Sequence, residues 1–387
     1  MAQAVDCVIM RGGTSKAVFL REEDLPADAD SRRKLILRIY GSPDRRQIDG
    51  LGGADPLTSK LAVIGPPPPP QSGRPPFHLT YTFGQVEINT PEIDWRSLCG
   101  NITSAVGLYA IEEGFVPATA PITYVRIYNT NLKRLLTVEV PVESGKPVET
   151  GSFVVPGVPG SGARISIDFS DTAGGATGRL LPTGKPIDRL TVPGFGEIDM
   201  SLVDIGNAHV FVRARDVGMK GTETASEIDA NPDLLDLLER IRGVGAAKMG
   251  MIPEAARSRQ ESPATPILGV VGPPADYYND IAGSTVSADE VDLVSRLQFM
   301  QQTHKTYAGT STVCTGVASR IPGTIVNECA RRREGPLVRI GHPAGVIETE
   351  TALRTEGGEI AVERATLGRT ARRILKGTVF VPEGTLG

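Results

Sequence analysis

The chain echoes itself, and that echo limits its fold more than any other feature. Residues 97–114 read Ser97-Leu98-Cys99-Gly100-Asn101-Ile102-Thr103-Ser104-Ala105-Val106-Gly107-Leu108-Tyr109-Ala110-Ile111-Glu112-Glu113-Gly114. From Thr103 onward they are apolar almost all round and rich in small side chains. Residues 308–323 follow the same plan: Ala308-Gly309-Thr310-Ser311-Thr312-Val313-Cys314-Thr315-Gly316-Val317-Ala318-Ser319-Arg320-Ile321-Pro322-Gly323. A helix that is apolar on every side is buried, and Gly114 and Gly323 supply the stops. Each segment is preceded by an apolar run, a Gly-containing turn, a second apolar run and a charged step, from Val8 to Leu25 and from Leu202 to Val217. Two echoes in the same order predict a duplicated α+β domain, each half a strand-rich layer wrapped round one buried helix. Pro182–Pro186 is the natural linker, giving domains 1–184 and 185–387, with the last strands free to return to the first. The two helix N-termini would then face one cleft, and two positive helix ends suit a substrate with several carboxylates.

Composition supports this reading and narrows the function. The chain has 387 residues, 40% of them hydrophobic, which is enough for two cores. With 44 Gly, 30 Pro and only 5% aromatics, short Val/Ile/Thr-rich runs between turns point to strands. A net charge of −4 with mixed signs and no basic stripe argues against a general nucleic-acid binder. Cys7, Cys99, Cys314 and Cys329 are scattered without a C-x-x-C, and there are four histidines, so neither a disulfide framework nor a zinc site is expected. No signal peptide is expected from Met1–Asp6, and no membrane span, since no apolar run reaches about 18 residues. The expected setting is the reducing cytoplasm.

Further elements follow from periodicity. Asp30–Tyr40 predicts a helix capped by Asp30 or Ser31, with Leu35, Ile36 and Ile39 as its stripe. Asn231–Arg242 predicts a helix on the outside of the second domain, and Ser287–Thr303 another, leading to His304-Lys305. Strands are expected at 122–128, 135–140 and 152–155, and at 77–83 and 85–89 on either side of Gly84. Pro66–Pro70 must be extended and cannot pair in a sheet. It reads as a loop insertion, the alternative being a docking segment for a proline-binding domain.

Three stretches carry chemistry. Asp49-Gly50-Leu51-Gly52-Gly53-Ala54-Asp55-Pro56-Leu57-Thr58-Ser59-Lys60 is a loop that delivers amides, two hydroxyls and an amine to the start of a buried strand. Such a set suits a carboxylate or phosphate. It is not a phosphate loop, because Lys60 follows the hydroxyls instead of preceding them. Arg11-Gly12-Gly13-Thr14-Ser15 is a second Gly-hydroxyl turn. The third is Cys99-Gly100-Asn101, opening a buried helix: a ready anion site that also lowers the pKa of a nearby thiol. The alternative for Cys99 is a buried, inert residue. His304 suits either a ligand contact or a structural role.

The residues Met10–Lys16, Gly50–Lys60, Cys99-Gly100-Asn101 with Ser104-Ala105-Val106, Gly206-Asn207-Ala208-His209, His304-Lys305 with Gly309-Thr310, and Pro322-Gly323-Thr324 span nearly the whole chain. In this order they resemble the diaminopimelate epimerase fold and, within it, the PrpF family. Members of that family isomerise 2-methylaconitate, methylitaconate or aconitate, or tautomerise 4-oxalomesaconate. The resemblance implies two β-rich domains, each with a central helix, an active site in the cleft between them, no cofactor and no metal. The epimerase branch uses one cysteine from each domain. Cys99 stands where the first belongs, but Ala308-Gly309-Thr310 holds no thiol at the second place, and Cys314 lies a turn further on. A two-thiol racemase is therefore disfavoured. The PrpF-like branch places a lysine near the first cysteine, which Lys60 matches.

The expected reaction is a 1,3-proton shift or cis-trans isomerisation in an unsaturated di- or tricarboxylate. Lys60 would be the main base, its pKa lowered by burial or by the positive charge of helix ends and Arg11. Cys99 would be the partner acid or base. Amides of Gly12, Gly13, Gly100, Asn101, Thr310 and Ser311 would hold the dienolate. Arg11, Thr14, Ser15, Gly53, Thr58, Ser59, His304 and Gly309 complete the expected binding set. The rivals are an amino-acid epimerase or racemase of the same fold, a non-catalytic carboxylate-binding protein, and a decarboxylase of the same acids. The expected partner is a small polycarboxylate, with no nucleic acid and no membrane. Oligomeric state is left open, a homodimer included.

Overall fold

Period-two alternation and Gly turns build the strands of this protein, and their pairing order repeats. The computed structural model describes residues 3–67, 76–95, 98–357 and 359–382. Part of the proline run, Pro68–Pro70, lies outside them, as does Ser97. The chain divides into two compact units. One takes the described residues up to Ile167 and those from Gly368 on, and the other is Asp168–Leu367.

In the first unit β1 (Gln3–Gly12) and β2 (Ser15–Arg21) form an antiparallel hairpin. After α1 (Ala29–Tyr40), β3 (Lys60–Gly65) lies parallel to β2 and antiparallel to β4 (Leu79–Val86). Then come α2 (Gly100–Glu112), β5 (Ile122–Asn129), parallel to β4, and β6 (Arg134–Glu143), antiparallel to β5. The second unit opens with β7 (Asp188–Val192), paired with β8 (Gly196–Ile205), which makes a hairpin with β9 (Asn207–Arg213). After α3 (Pro232–Lys248), β10 (Ile267–Gly272) lies parallel to β9 and antiparallel to β11 (Leu293–Phe299). Next are α4 (Gly309–Arg320), β12 (Leu337–His342), parallel to β11, and β13 (Gly345–Glu356), antiparallel to β12. Antiparallel, parallel, antiparallel, parallel, antiparallel is the order in both units. The last strand, β14 (Ala371–Val381), pairs antiparallel with β1.

Each unit has an outer and a central helix. The stripe of α1, Leu35, Ile36, Ile39 and Tyr40, packs with Val18, Leu20, Leu61 and Val63 on one face of its sheet. In the second unit Leu238 and Ile241 of α3 pack with Leu202, Val210, Leu268 and Val270. By contrast α2 and α4 are buried along nearly their whole length and touch strands on several sides. Each fully buried Ile, Leu or Val there contributes about 1.5–3 kcal/mol. No helix among the described residues is long and apolar enough to cross a membrane.

Several boundaries differ from expectation. The cap of α1 is Asp28, whose carboxylate accepts from the Ser31 amide, and not Asp30 or Ser31. Asp28-Ala29-Asp30-Ser31 offers three capping side chains, and local pattern does not rank them. Gly84 does not divide two strands: β4 runs through it, and Trp95, Ile93 and Leu61 fill the space a side chain would take. Residues 152–155 form no strand, only a bridge from Phe153 to Gly162. The helix expected over Ser287–Thr303 is overturned. Residues 293–299 are β11, buried on both faces from Leu293 to Gln298 and paired on both edges. A strand covered on both faces loses its alternation, so periodicity cannot tell it from a buried helix.

The central helices approach their sheets at equivalent glycines, each eight residues beyond the N-cap. A methyl group at Gly107 would overlap Val138 of β6, and one at Gly316 would overlap Thr349 of β13. Gly107→Ala and Gly316→Ala are each expected to destabilise the protein by about 1–3 kcal/mol through overpacking. The gain in helix propensity, about 1 kcal/mol, should not reverse this. Urea unfolding midpoints measure it.

Candidate functional site

The two central helices start without the usual caps. α1 and α3 are capped by Asp28 and Asn231, whose side chains accept from first-turn amides. The N-caps of α2 and α4 are Cys99 and Ala308, and neither carries a side-chain cap hydrogen bond. Their first-turn amides are left for water or a ligand. The positions are equivalent in detail. Thr103 returns its hydroxyl to the Cys99 carbonyl at 3.0 Å, and Thr312 does the same to Ala308 at 3.0 Å. Cys99 is partly exposed. Cys314 is sealed in the core, where burial pushes its thiol pKa up.

A Gly turn packs on each helix start. Gly12 and Gly13 are required because a side-chain carbon at either would overlap Asn101, and Gly13 takes φ +49°. Asn101 donates from Nδ2 to Thr14 Oγ1 at 3.0 Å, with Ser15 Oγ at 3.5 Å. The second unit has the same bond with the partners exchanged. Asn207, in the turn, donates to Thr310 Oγ1, on the helix, at 2.8 Å. The adjacent Gly206 has φ +69°.

This contact commits several groups expected to meet substrate. The Gly13 amide donates to the Thr370 carbonyl at 2.8 Å. Nη1 of Arg11 donates to Gly13 O, Thr370 O and Thr370 Oγ1. Ser311 is sealed and hydrogen-bonds His209 Nε2 at 2.7 Å. The other ring nitrogen, Nδ1, lies 2.8 Å from the Asn207 carbonyl. A carbonyl can only accept, so Nδ1 carries the proton and Nε2 accepts from the serine. Burial pushes the His209 pKa down to about 4. His304 is engaged locally, its Nδ1 accepting from the Thr306 amide and its ring edge on Phe299.

The Gly-rich loop is organised by Gln47, a residue that sequence reading passed over. Its amide donates to Ser42 Oγ and Ser59 Oγ and accepts from the Ala54 amide. Ser59 is fully buried and also donates to the Val86 carbonyl, so it faces the interior instead of a ligand. Thr58 donates to Asp55 O and packs on Gly53, with the Lys16 amine beside them. Lys60 begins β3. Its amine donates to Gln85 Oε1 at 2.6 Å and stands 5.4 Å from the centre of the Phe83 ring. Gln85 is held in turn by Pro56 O and Ser59 O at 3.1 Å each. Four residues along the same face of β4, buried Tyr81 lies against Cys99 and Thr103. Strand β4 therefore carries both the partner of Lys60 and the neighbour of Cys99.

Another residue missed in the sequence is Arg369. Its Nε donates to Asn101 Oδ1 at 2.7 Å and its Nη1 to Gly368 O at 2.8 Å. Among the described residues, no group of three or more His, Cys, Asp or Glu side chains is arranged to hold a metal ion.

Two units with one strand order, each built on a central helix, define a duplicated epimerase-like fold. A probable proline racemase from Agrobacterium radiobacter K84 shares that fold, with a TM-score of 0.52 at 12% identity over 98% of this chain and 93% of the other. Within this class the chain belongs to the PrpF family, described as PrpF protein, which matches residues 2–382. It is 52% identical to the 3-methylitaconate isomerase of Eubacterium barkeri over 99% of this chain and 98% of that protein. It is 38% identical to the 2-methyl-aconitate isomerase of Shewanella oneidensis, covering 98% and 97%. A crystal structure of methylitaconate-delta-isomerase, 52% identical, matches with a TM-score of 0.89 over 100% of this chain and 97% of the other.

His209 makes a pH prediction. Its folded pKa, about 4, lies below the unfolded value of about 6.5, so the folded state binds fewer protons between the two. Stability is full above pH 6.5 and falls as pH drops toward 4, by about 3 kcal/mol from this residue. In urea unfolding, His209→Gln should lower stability at pH 7 and flatten the slope between pH 6.5 and 5.

Proposed function

We propose that this protein is a cofactor-independent isomerase that moves or reorients a double bond in an unsaturated di- or tricarboxylate by a 1,3-proton shift. The observation that carries this reading is the inequality of two equivalent helix starts: a partly exposed thiol, Cys99, in one unit and Ala308 in the other. An acid–base pair built from one thiol per unit has no second member here. Our reading gives Lys60, at the start of β3, the role of the thiol's partner. The 52% identity to a 3-methylitaconate isomerase makes 3-methylitaconate the first substrate to test, ahead of 2-methylaconitate and 4-oxalomesaconate.

In the mechanism, Lys60 in its neutral form removes an allylic proton. The released electron pair delocalises through the double bond onto the conjugated carboxylate, giving a dienolate. The open first-turn amides of α2, Gly100 and Asn101, stabilise the new charge. A proton returns to the far carbon from Cys99 or from protonated Lys60, and the double bond has moved. Atoms and electrons balance without any external donor. Gln85 keeps the Lys60 amine in one place through a neutral acceptor, and among the described residues no carboxylate is paired with it.

Proton NMR in deuterium oxide tests this. Deuterium is expected to enter an allylic carbon of one of the three acids. Lys60→Ala should slow exchange by about 10²–10⁴-fold, and Cys99→Ser by less. Binding of all three acids without exchange would sink the isomerase reading in favour of a carboxylate-binding protein. Exchange at the α-carbon of an amino acid would favour the epimerase.

A further inference from the structure

Arg369 presents a physical problem. The residue is 6% exposed, yet among the described residues no carboxylate pairs with it. Burying a charge without a counter-charge is costly. The two acceptors it has, Asn101 Oδ1 and Gly368 O, are both neutral. Its remaining nitrogen, Nη2, makes no hydrogen bond among the described residues, and it is not one of the sealed, unsatisfied polar atoms. Burial lowers its pKa only to about 10, so it stays protonated at neutral pH, with the Cys99 thiol within electrostatic reach.

Among the other buried arginines, Arg296 is also held only by carbonyls, those of Glu223, Ser295 and Gly341, and lies over the Tyr277 ring, while two others are answered by carboxylates. Arg242 is paired with Glu239, and Arg213 with Asp199, Asp216 and Glu328. Arg11, the residue first expected to supply positive charge, has one terminal nitrogen bonded to three acceptors of the turn and strand it braces. Arg369 combines four features: burial, neutral partners, a free nitrogen, and contact with the first turn of the helix whose amides lack a cap.

We propose that Arg369 is the carboxylate anchor of the site. Nη2 takes one carboxylate of the substrate beside the first turn of α2, and Nε holds Asn101 in the orientation that lets it donate to Thr14. The anchor rests on the polycarboxylate reading of the same site. It adds that one substrate carboxylate is fixed by a guanidinium rather than by hydroxyls, leaving the Gly100 and Asn101 amides for charge that develops in the reaction.

The test uses the full-length protein and tricarballylate, a saturated tricarboxylate with no double bond to shift. Thermal shift and calorimetry compare wild type, Arg369→Gln and Arg369→Lys, and KM and kcat are measured on the isomerised acid. Wild type should gain melting temperature with tricarballylate. Arg369→Gln should melt at or above the wild-type temperature without ligand, because an unpaired buried charge is removed. It should lose the ligand-induced gain and show KM raised at least 50-fold, with kcat changed less than fivefold. Arg369→Lys, which keeps the charge without the planar fork, should fall between and serves if the glutamine variant does not fold. Unchanged tricarballylate affinity and KM in either folded variant would overturn the anchor and leave Arg369 a brace for Asn101. Arg369-dependent binding in a protein that exchanges deuterium with none of the acids would uphold the anchor and reject the isomerase reading.

Discussion

Everything in this protein depends on how closely its two central helices approach the sheets that wrap them. Gly107 on α2 and Gly316 on α4 mark the closest points, where a single methyl group would strike Val138 or Thr349. At the N-terminal ends, Gly12 and Gly13 press against Asn101, and Gly206 against Thr310. Neither central helix has a side-chain cap like Asp28 of α1 or Asn231 of α3. Both central helices therefore begin with open amides, the electropositive end of a dipole lying in a largely buried setting.

Two cations of the first unit, Lys60 and Arg369, are held by neutral groups. Lys60 is held by Gln85, and Arg369 by Asn101 and the Gly368 carbonyl. Other arginines are answered by carboxylates: Arg373 lies on Glu112 and Glu113, and Arg333 on Asp292. A neutral acceptor orients a cation without cancelling its field, so the charge remains available to an incoming anion. The equivalent place in the second unit has been put to other use. Thr310 bonds Asn207 and Ser311 bonds a sealed histidine, so the hydroxyls there brace the turn. Duplication produced two similar frames, and their side chains have diverged.

Much of the fold was legible because its signals are local. The all-round apolar character of 103–112, the small-residue run of 310–319, the glycines that stop or crowd each helix, and the repeated strand–turn–strand order are properties of short windows. The thiol at Cys99 and its absence at Ala308 could be read once the echo was aligned. Failures came where local pattern is degenerate. The run from Val291 to Gln298 is covered on both faces, and a doubly buried strand has no alternation to betray it. Ser59 looked like one of a pair of ligand hydroxyls. Its direction is set by Gln47 and the Val86 carbonyl, which lie 12 and 27 residues away.

The sequence by itself determined the duplication, the two buried helices, the candidate lysine and the thiol at one helix start, because composition and spacing within about twenty residues encode them. Only the tertiary structure decided which polar groups remain free to act. Hydrogen bonds close between residues far apart in the chain: Asn101 with Arg369, 268 positions on, and Arg11 with Thr370, 359 positions on. A group's availability depends on whether such a distant partner has already claimed it, and no local window contains that partner.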